Sequence, residues 1–153
     1  MKITFSWIGK SKFNEYQQLQ RLYTKRLRHY CKFEIREFKE LRIKDTAELK
    51  VKEGRQILSS LVAQDYLILL DETGRQYSSR QLATELQKLM NRSQNTTFLI
   101  GGAFGVSEEV FDRSNLVLSL SKMTLTHDMA RLLLLEQVYR AHTIIRGEKY
   151  HND

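Results

Sequence analysis

Polar and apolar positions alternate over Lys2–Ile8, where Ile3, Phe5 and Trp7 share one face, and Gly9 follows. That period of two predicts a half-buried strand. From Ser11 to about Tyr30 the spacing changes to three and four, through Phe13, Tyr16, Leu19, Leu22 or Tyr23, and Leu27, with Arg21, Lys25 and Arg28 opposite. This is the stripe of an amphipathic helix. Alternation returns over Lys32–Lys39, giving a second strand, and a polar stretch, Glu40–Lys44, comes after it. Asp45 with Glu48 three residues on forms a capping signal, and a helix is predicted from there to about Val62.

The second half repeats the alternation of element types. Tyr66–Leu70 is a short continuous apolar run, as in a strand covered on both faces, and Asp71-Glu72-Thr73-Gly74 reads as a turn. Ser78-x-x-Gln81 is a capping box opening a helix through about Met90. Thr96–Ile100 is another buried strand, followed by Gly101-Gly102-Ala103-Phe104-Gly105. Ser107 before Glu108 and Glu109 suits the start of a short helix. Asn115–Leu120 is a further strand, Ser121–Thr126 a loop, and a long last helix runs from Thr126 or His127 to Ile145. Strands alternating with helices predict an α/β domain with a largely parallel sheet. The last helix is apolar on more than one stripe, with Met129, Leu132, Leu133, Leu134, Leu135, Val138, Ile144 and Ile145. In a chain this small, such a helix is expected to pack on the sheet and on a second subunit, so a homodimer is predicted.

Composition narrows the class. A chain of 153 residues predicts one domain, 1–153. One cysteine excludes an internal disulfide framework and a cysteine-cluster metal site. No apolar run reaches the roughly 20 residues of a membrane span, and the amino-terminal apolar stretch is too short for a signal peptide. A cytoplasmic protein without a membrane partner is expected. The net charge of +7 is unevenly placed. Met1–Arg55 holds 15 basic and 7 acidic residues, and the remainder 10 and 11. The basic excess of the first third suggests a polyanionic partner, nucleic acid ahead of membrane, or a solvated basic face.

Three segments can carry chemistry. Glycines at the end of a buried strand let backbone groups approach a ligand, although GGxxG is neither a P-loop nor a dinucleotide fingerprint. Ser119–Arg131 is a polar loop leading into a helix, with His127 and Arg131 four residues apart on one face. The tail, Arg146–Asp153, places Tyr150 and His151 beside basic residues, where they could stack on a base or relay a proton, or simply fray. Cys31, His29 and His142 have no partners at useful spacing and read as structural. No pattern predicts a metal.

Taken in order, GGxxG after a buried strand, LSKMTLTH-x-x-x-R, the Leu-rich helix ending EQVYRA, and the terminal RGEKYH resemble the large-subunit ribosomal RNA methyltransferase H family. The resemblance runs from MKITF to the final YH. It implies a small homodimeric SPOUT-class enzyme that transfers a methyl group from S-adenosylmethionine to N3 of a pseudouridine in 23S rRNA. It also implies a parallel sheet sandwiched by helices and a deep trefoil knot in the C-terminal part, about residues 66–145, with a tail from 146. Periodicity shows no knot, and knots are all but absent from proteins.

The resemblance assigns the cofactor to Leu70, to Gly101, Gly102 and Gly105, and to Leu120, Ser121, Lys122, Met123, Thr124 and Leu125. It points to His127, Arg131, Tyr150 and His151 as substrate-side residues. Arg131 would hold phosphate or offset negative charge, His127 or His151 would accept a proton, and Tyr150 would stack on the nucleotide. With a near-neutral cofactor half, the basic first third becomes the expected rRNA-facing surface, Lys10, Lys12, Arg21, Lys25 and Arg28 foremost. Thr126 stands where many members have proline, and threonine is a competent cap there. Two other classes remain: a non-catalytic ribosome- or RNA-binding module, and a SPOUT enzyme acting on another RNA such as tRNA.

Overall fold

The structure is a computed structural model and describes residues 1–152. Five strands and five helices alternate strictly: β1 (Lys2–Ile8), α1 (Asn14–Leu27), β2 (Lys32–Phe38), α2 (Thr46–Ser60), β3 (Tyr66–Gln76), α3 (Ser79–Asn91), β4 (Thr96–Ile100), α4 (Glu108–Arg113), β5 (Leu116–Ser119) and α5 (His127–Ile145). The strands form one sheet in the order β2-β1-β4-β3-β5, every pair parallel. A parallel strand can rejoin its sheet only by crossing over a face, so the connecting helices cover both sides.

Two apolar layers result. Ile3, Phe5 and Trp7 of β1, with Ile68 and Phe98, pack against Leu27 of α1, Leu82, Leu86 and Leu89 of α3, and Leu134, Leu135 and Val138 of α5. On the other face Leu67, Leu69 and Leu99 meet Ile57 of α2 and Val110 of α4. All five residues of β4 are buried, as expected of the central strand of a parallel sheet covered on both faces.

Helix starts follow the sequence signals. Asp45 accepts the Glu48 N–H (2.7 Å), Ser78 and Gln81 complete a reciprocal capping box, and Thr126 accepts the Met129 N–H (3.3 Å). Three details differ. Ser11 does not start α1; the helix begins at Asn14, and Ser11 is held outside it by the side chains of Gln17 and Gln20. Ser107 sits at the N-cap of α4, but its buried hydroxyl caps no backbone N–H. Asp71–Gly74 does not end β3: the strand resumes, so that both Leu70 and Arg75 pair with Leu118. The four residues between them loop out of the ladder, and Gly74 lies so close to the β5 backbone that a Cβ there would come within 2.7 Å of Leu118 N.

The topology decides where a site can form. β4, β3 and β5 are neighbours, so the segments after their carboxyl ends converge. The segments after β1 and β2 converge on the other side of the loop after β4.

Candidate active site

The loop after β4 is shaped by its glycines. The Gly105 N–H donates to the Gly102 carbonyl (3.0 Å), closing a tight turn with Ala103 and Phe104 at its tip. Gly105 has φ +82°, a conformation that disfavours any side chain. A Cβ at Gly101 would approach Val106 Cγ1 to 2.7 Å, and one at Gly102 would approach Glu53 Oε2 to 2.6 Å. This tight packing presents backbone rather than side chains to the adjacent space.

The loops after β3 and β5 supply facing walls. Asp71 Oδ1 accepts the Thr73 N–H (2.9 Å) and hydroxyl (2.6 Å), which fixes the looped-out segment. Ser121 Oγ accepts the Met123 N–H (2.9 Å), and the Ser119 hydroxyl donates to the Ser121 carbonyl (2.9 Å). The Thr124 hydroxyl donates to Glu72 Oε2 (3.3 Å), linking the two loops. Between the three segments lies a cleft of about 550 Å³. Leu70, Gly101, Gly102, Gly105, Leu120, Ser121, Met123, Thr124 and Leu125 line it together with His127; Lys122 is exposed and is not part of the lining. Sequence reasoning missed Asp71, Glu72 and Thr73, which also line it. The turn signal marked them, but only the pairing with β5 brings them to the cleft.

The donor set suits an adenosyl sulfonium compound. Leu70, Leu120 and Leu125 offer apolar surface to a purine, backbone groups lie at three strand ends, and two carboxylates, Asp71 and Glu72, suit hydroxyls and positive charge. Among the described residues no group of His, Cys, Asp or Glu is arranged to hold a metal ion.

A second cleft, of about 670 Å³, lies across the glycine loop. Gly102, Ala103, Phe104 and His127 line both clefts and so form the wall between them. The far side of the second cleft comes from the segments after β1 and β2, with Lys10, Lys12, Arg42 and Lys44 among the cations and Phe13 and Tyr16 as aromatics. Lys10 and Lys12 were marked by the sequence; Arg42 and Lys44 lay in a stretch read only as polar. Arg21, Lys25 and Arg28 are exposed along α1.

His127 and Arg131 meet where the last helix starts. His127 is half-buried, and burial, with the nearby Arg131 cation, holds its pKa below the usual histidine range. Its ring is therefore neutral at pH 7 and one nitrogen is free to accept a proton. Arg131 is only 3% exposed. Its guanidinium donates to the Ile8 carbonyl (2.6 Å), pairs with Asp128 (3.4 Å) and lies over the Trp7 ring (5.4 Å), so it ties α5 to the end of β1.

Tyr150 and His151 lie elsewhere in the chain. The tail folds back on α5, where the Tyr150 hydroxyl donates to Glu136 Oε1 (3.1 Å), its ring stands edge-on to Tyr139 and beneath Arg140, and His151 Nδ1 is 3.4 Å from Arg140 Nη1. Burial foremost, with hydrogen bonding and the Glu136 charge, raises the Tyr150 pKa, so the phenol stays protonated. Glu136 is nine residues beyond His127, about 13 Å along the helix. The structure brings His127 and Arg131 together and holds the tail pair apart from them.

The chain matches the family model described as "Predicted SPOUT methyltransferase" over residues 1–151. It is 44% identical to proteins named ribosomal RNA large subunit methyltransferase H from Christiangramia forsetii and Flavobacterium johnsoniae, with 99% of each chain covered in both cases. The same name is borne by a Parabacteroides distasonis protein, 41% identical over the whole of both chains. In fold it is similar to a probable rRNA methyltransferase from Porphyromonas gingivalis (TM-score 0.54, 15% identity, covering 95% of this chain and 69% of the other). It is also similar to a probable methylase family protein from Haemophilus influenzae (TM-score 0.55, 11% identity, covering 99% and 70%).

Proposed function

This chain belongs to the SPOUT methyltransferase family, and from that premise we propose that it methylates N3 of a pseudouridine in 23S rRNA with S-adenosylmethionine as donor. Its close relatives are named as large-subunit rRNA methyltransferases along their full length, so the enzyme class is that of an rRNA methyltransferase. The observation that most supports the finer reading is the pair of clefts on either side of one glycine loop, one lined by backbone, leucines and two carboxylates, the other basic and aromatic.

When bound, the cofactor supplies an electrophilic methyl group on a positively charged sulfur. The chain's own part is to position, to hold charge and to manage a proton. Backbone of Gly101, Gly102 and Gly105 bounds the donor cleft, while Asp71 and Glu72 favour a cationic occupant there. N3 of the base must lose its proton as it attacks the methyl carbon, and neutral His127, which lines both clefts, is placed to accept that proton directly or through water. Arg131 keeps the start of α5 against β1 and lends positive charge beside that histidine. Lys10, Lys12, Arg21, Lys25 and Arg28 serve as contacts to rRNA phosphates.

The functional unit in this reading is a homodimer. The outer face of α5 carries the exposed Met129 and the half-buried Leu132 and Leu133, a surface suited to a second copy. Tyr150 and His151 of one protomer would then act at the cleft of its partner, with the knotted region at about 66–145. Comparison of rRNA from cells with and without the gene, by mass mapping of 23S rRNA, tests the reading. The deletion is expected to lose one methyl group at a pseudouridine; an unchanged map, or loss of a methyl from tRNA instead, would contradict it.

A further inference from the structure

Glu53 is a carboxylate in a place that burial makes costly. It lies on α2, is 5% exposed, and lines the second cleft with Oε2 packed against Gly102. Burial pushes its pKa up, the Leu41 N–H that it accepts lowers it, and nearby Glu40 raises it again. One backbone N–H does not use the accepting capacity of a carboxylate, which has about four lone-pair sites.

We propose that the second cleft receives the target base flipped out of the rRNA, and that Glu53 recognises it by accepting the N1–H of pseudouridine. The inference rests on the substrate reading above and names the residue that would distinguish pseudouridine from uridine. Pseudouridine is joined to ribose through carbon, so N1 keeps a hydrogen; in uridine N1 holds the sugar, and the corresponding edge presents C–H. N1 and N3 flank the same ring carbon. A base that turns N3 to the wall shared with the donor cleft therefore shows N1–H on the adjoining edge, the side on which Glu53 packs behind Gly102.

The rest of the lining fits a nucleotide. Phe13 and Tyr16, with ring centroids 6.4 Å apart, offer faces on which bases stack. Lys10, Lys12, Arg42 and Lys44 supply positive charge for the flanking phosphates. Of the other two carboxylates lining the cleft, Glu40 is exposed and Asp128 is engaged with Arg131, which leaves Glu53 as the buried acceptor.

Three substrates and one variant test this. Single-turnover methylation is measured on ribosomes bearing pseudouridine, uridine or N1-methylpseudouridine at the target. The wild-type protein is expected to prefer pseudouridine and to fail on N1-methylpseudouridine, where a methyl group replaces the recognised hydrogen. Glu53→Gln can keep the Leu41 bond through its amide oxygen, but it then turns an NH₂ towards N1–H. Its rate on pseudouridine should fall by about 10- to 100-fold, with the preference over uridine lost and S-adenosylmethionine affinity by calorimetry unchanged. An unaltered preference in Glu53→Gln, or wild-type methylation of N1-methylpseudouridine at the pseudouridine rate, would overturn the proposal. Wild-type protein that binds cofactor and methylates none of the three would overturn the substrate reading itself. The N1-methylpseudouridine arm needs no variant, so the test stands even if Glu53→Gln does not fold.

Discussion

Gly102 is one of the four residues that line both clefts. Its backbone lines the donor cleft, and the space a side chain would need is held by Glu53 Oε2 at 2.6 Å. Gly102→Ala should therefore push the loop into the donor cleft or displace Glu53. Isothermal calorimetry is expected to show S-adenosylmethionine binding weakened by about 10-fold or more, or about 1.4 kcal/mol; unchanged affinity would mean that the loop does not touch the ligand. Although such a run alone is often only a turn, the glycine run at a strand end was visible in the sequence. Glu53 was not. A glutamate inside a charged helical stretch reads as solvated, and the available signal was Gly54 beside it, a glycine in mid-helix. Its reason lies in Ser107, a residue distant in sequence whose side chain fills the space a Cβ at Gly54 would need.

Three helices began where a local capping signal said they would. Asp45, Ser78 and Thr126 cap as their sequences predict, since a capping bond spans only three residues. Thr126→Ala removes the Met129 N–H acceptor at the start of α5 and should cost about 1 kcal/mol, seen as a melting temperature lower by about 2–4 °C. An unshifted melting temperature would show that another group satisfies that end. The turn signal in Asp71–Gly74 was also real, but it did not end its strand. Whether a turn terminates a strand or bulges from it depends on the partner's register, here Leu118 pairing twice, and a register with a strand some forty residues away has no local trace. The near-continuous apolar character of α5 predicted two buried faces; the core takes one of them, and the other is the one proposed for a second copy.

At the scale of the molecule, alternation of strands and helices predicted a parallel α/β sheet, and the sheet has that form. Strand order was not legible, because it is set by which faces the crossovers bury. The order places β4 between β1 and β3, and so makes one glycine loop the wall of two clefts. The charge asymmetry of the sequence acquires a location in the same way: Lys10 and Lys12 lie on the second cleft, while Arg21, Lys25 and Arg28 extend the positive surface along α1. On the function proposed above, the donor cleft and the basic surface act together on ribosomal RNA. The measurement that tests it most directly is single-turnover methyl transfer from S-adenosylmethionine to purified large subunits and ribosomes, by the wild-type protein and by Lys10→Glu/Lys12→Glu. The wild type should place one methyl on one 23S pseudouridine, whereas the double reversal should transfer it more slowly at low salt, with a shallower further fall as salt rises, while binding the cofactor with unchanged affinity. Cofactor-saturated wild-type protein that leaves the ribosomal RNA unmethylated would contradict the account.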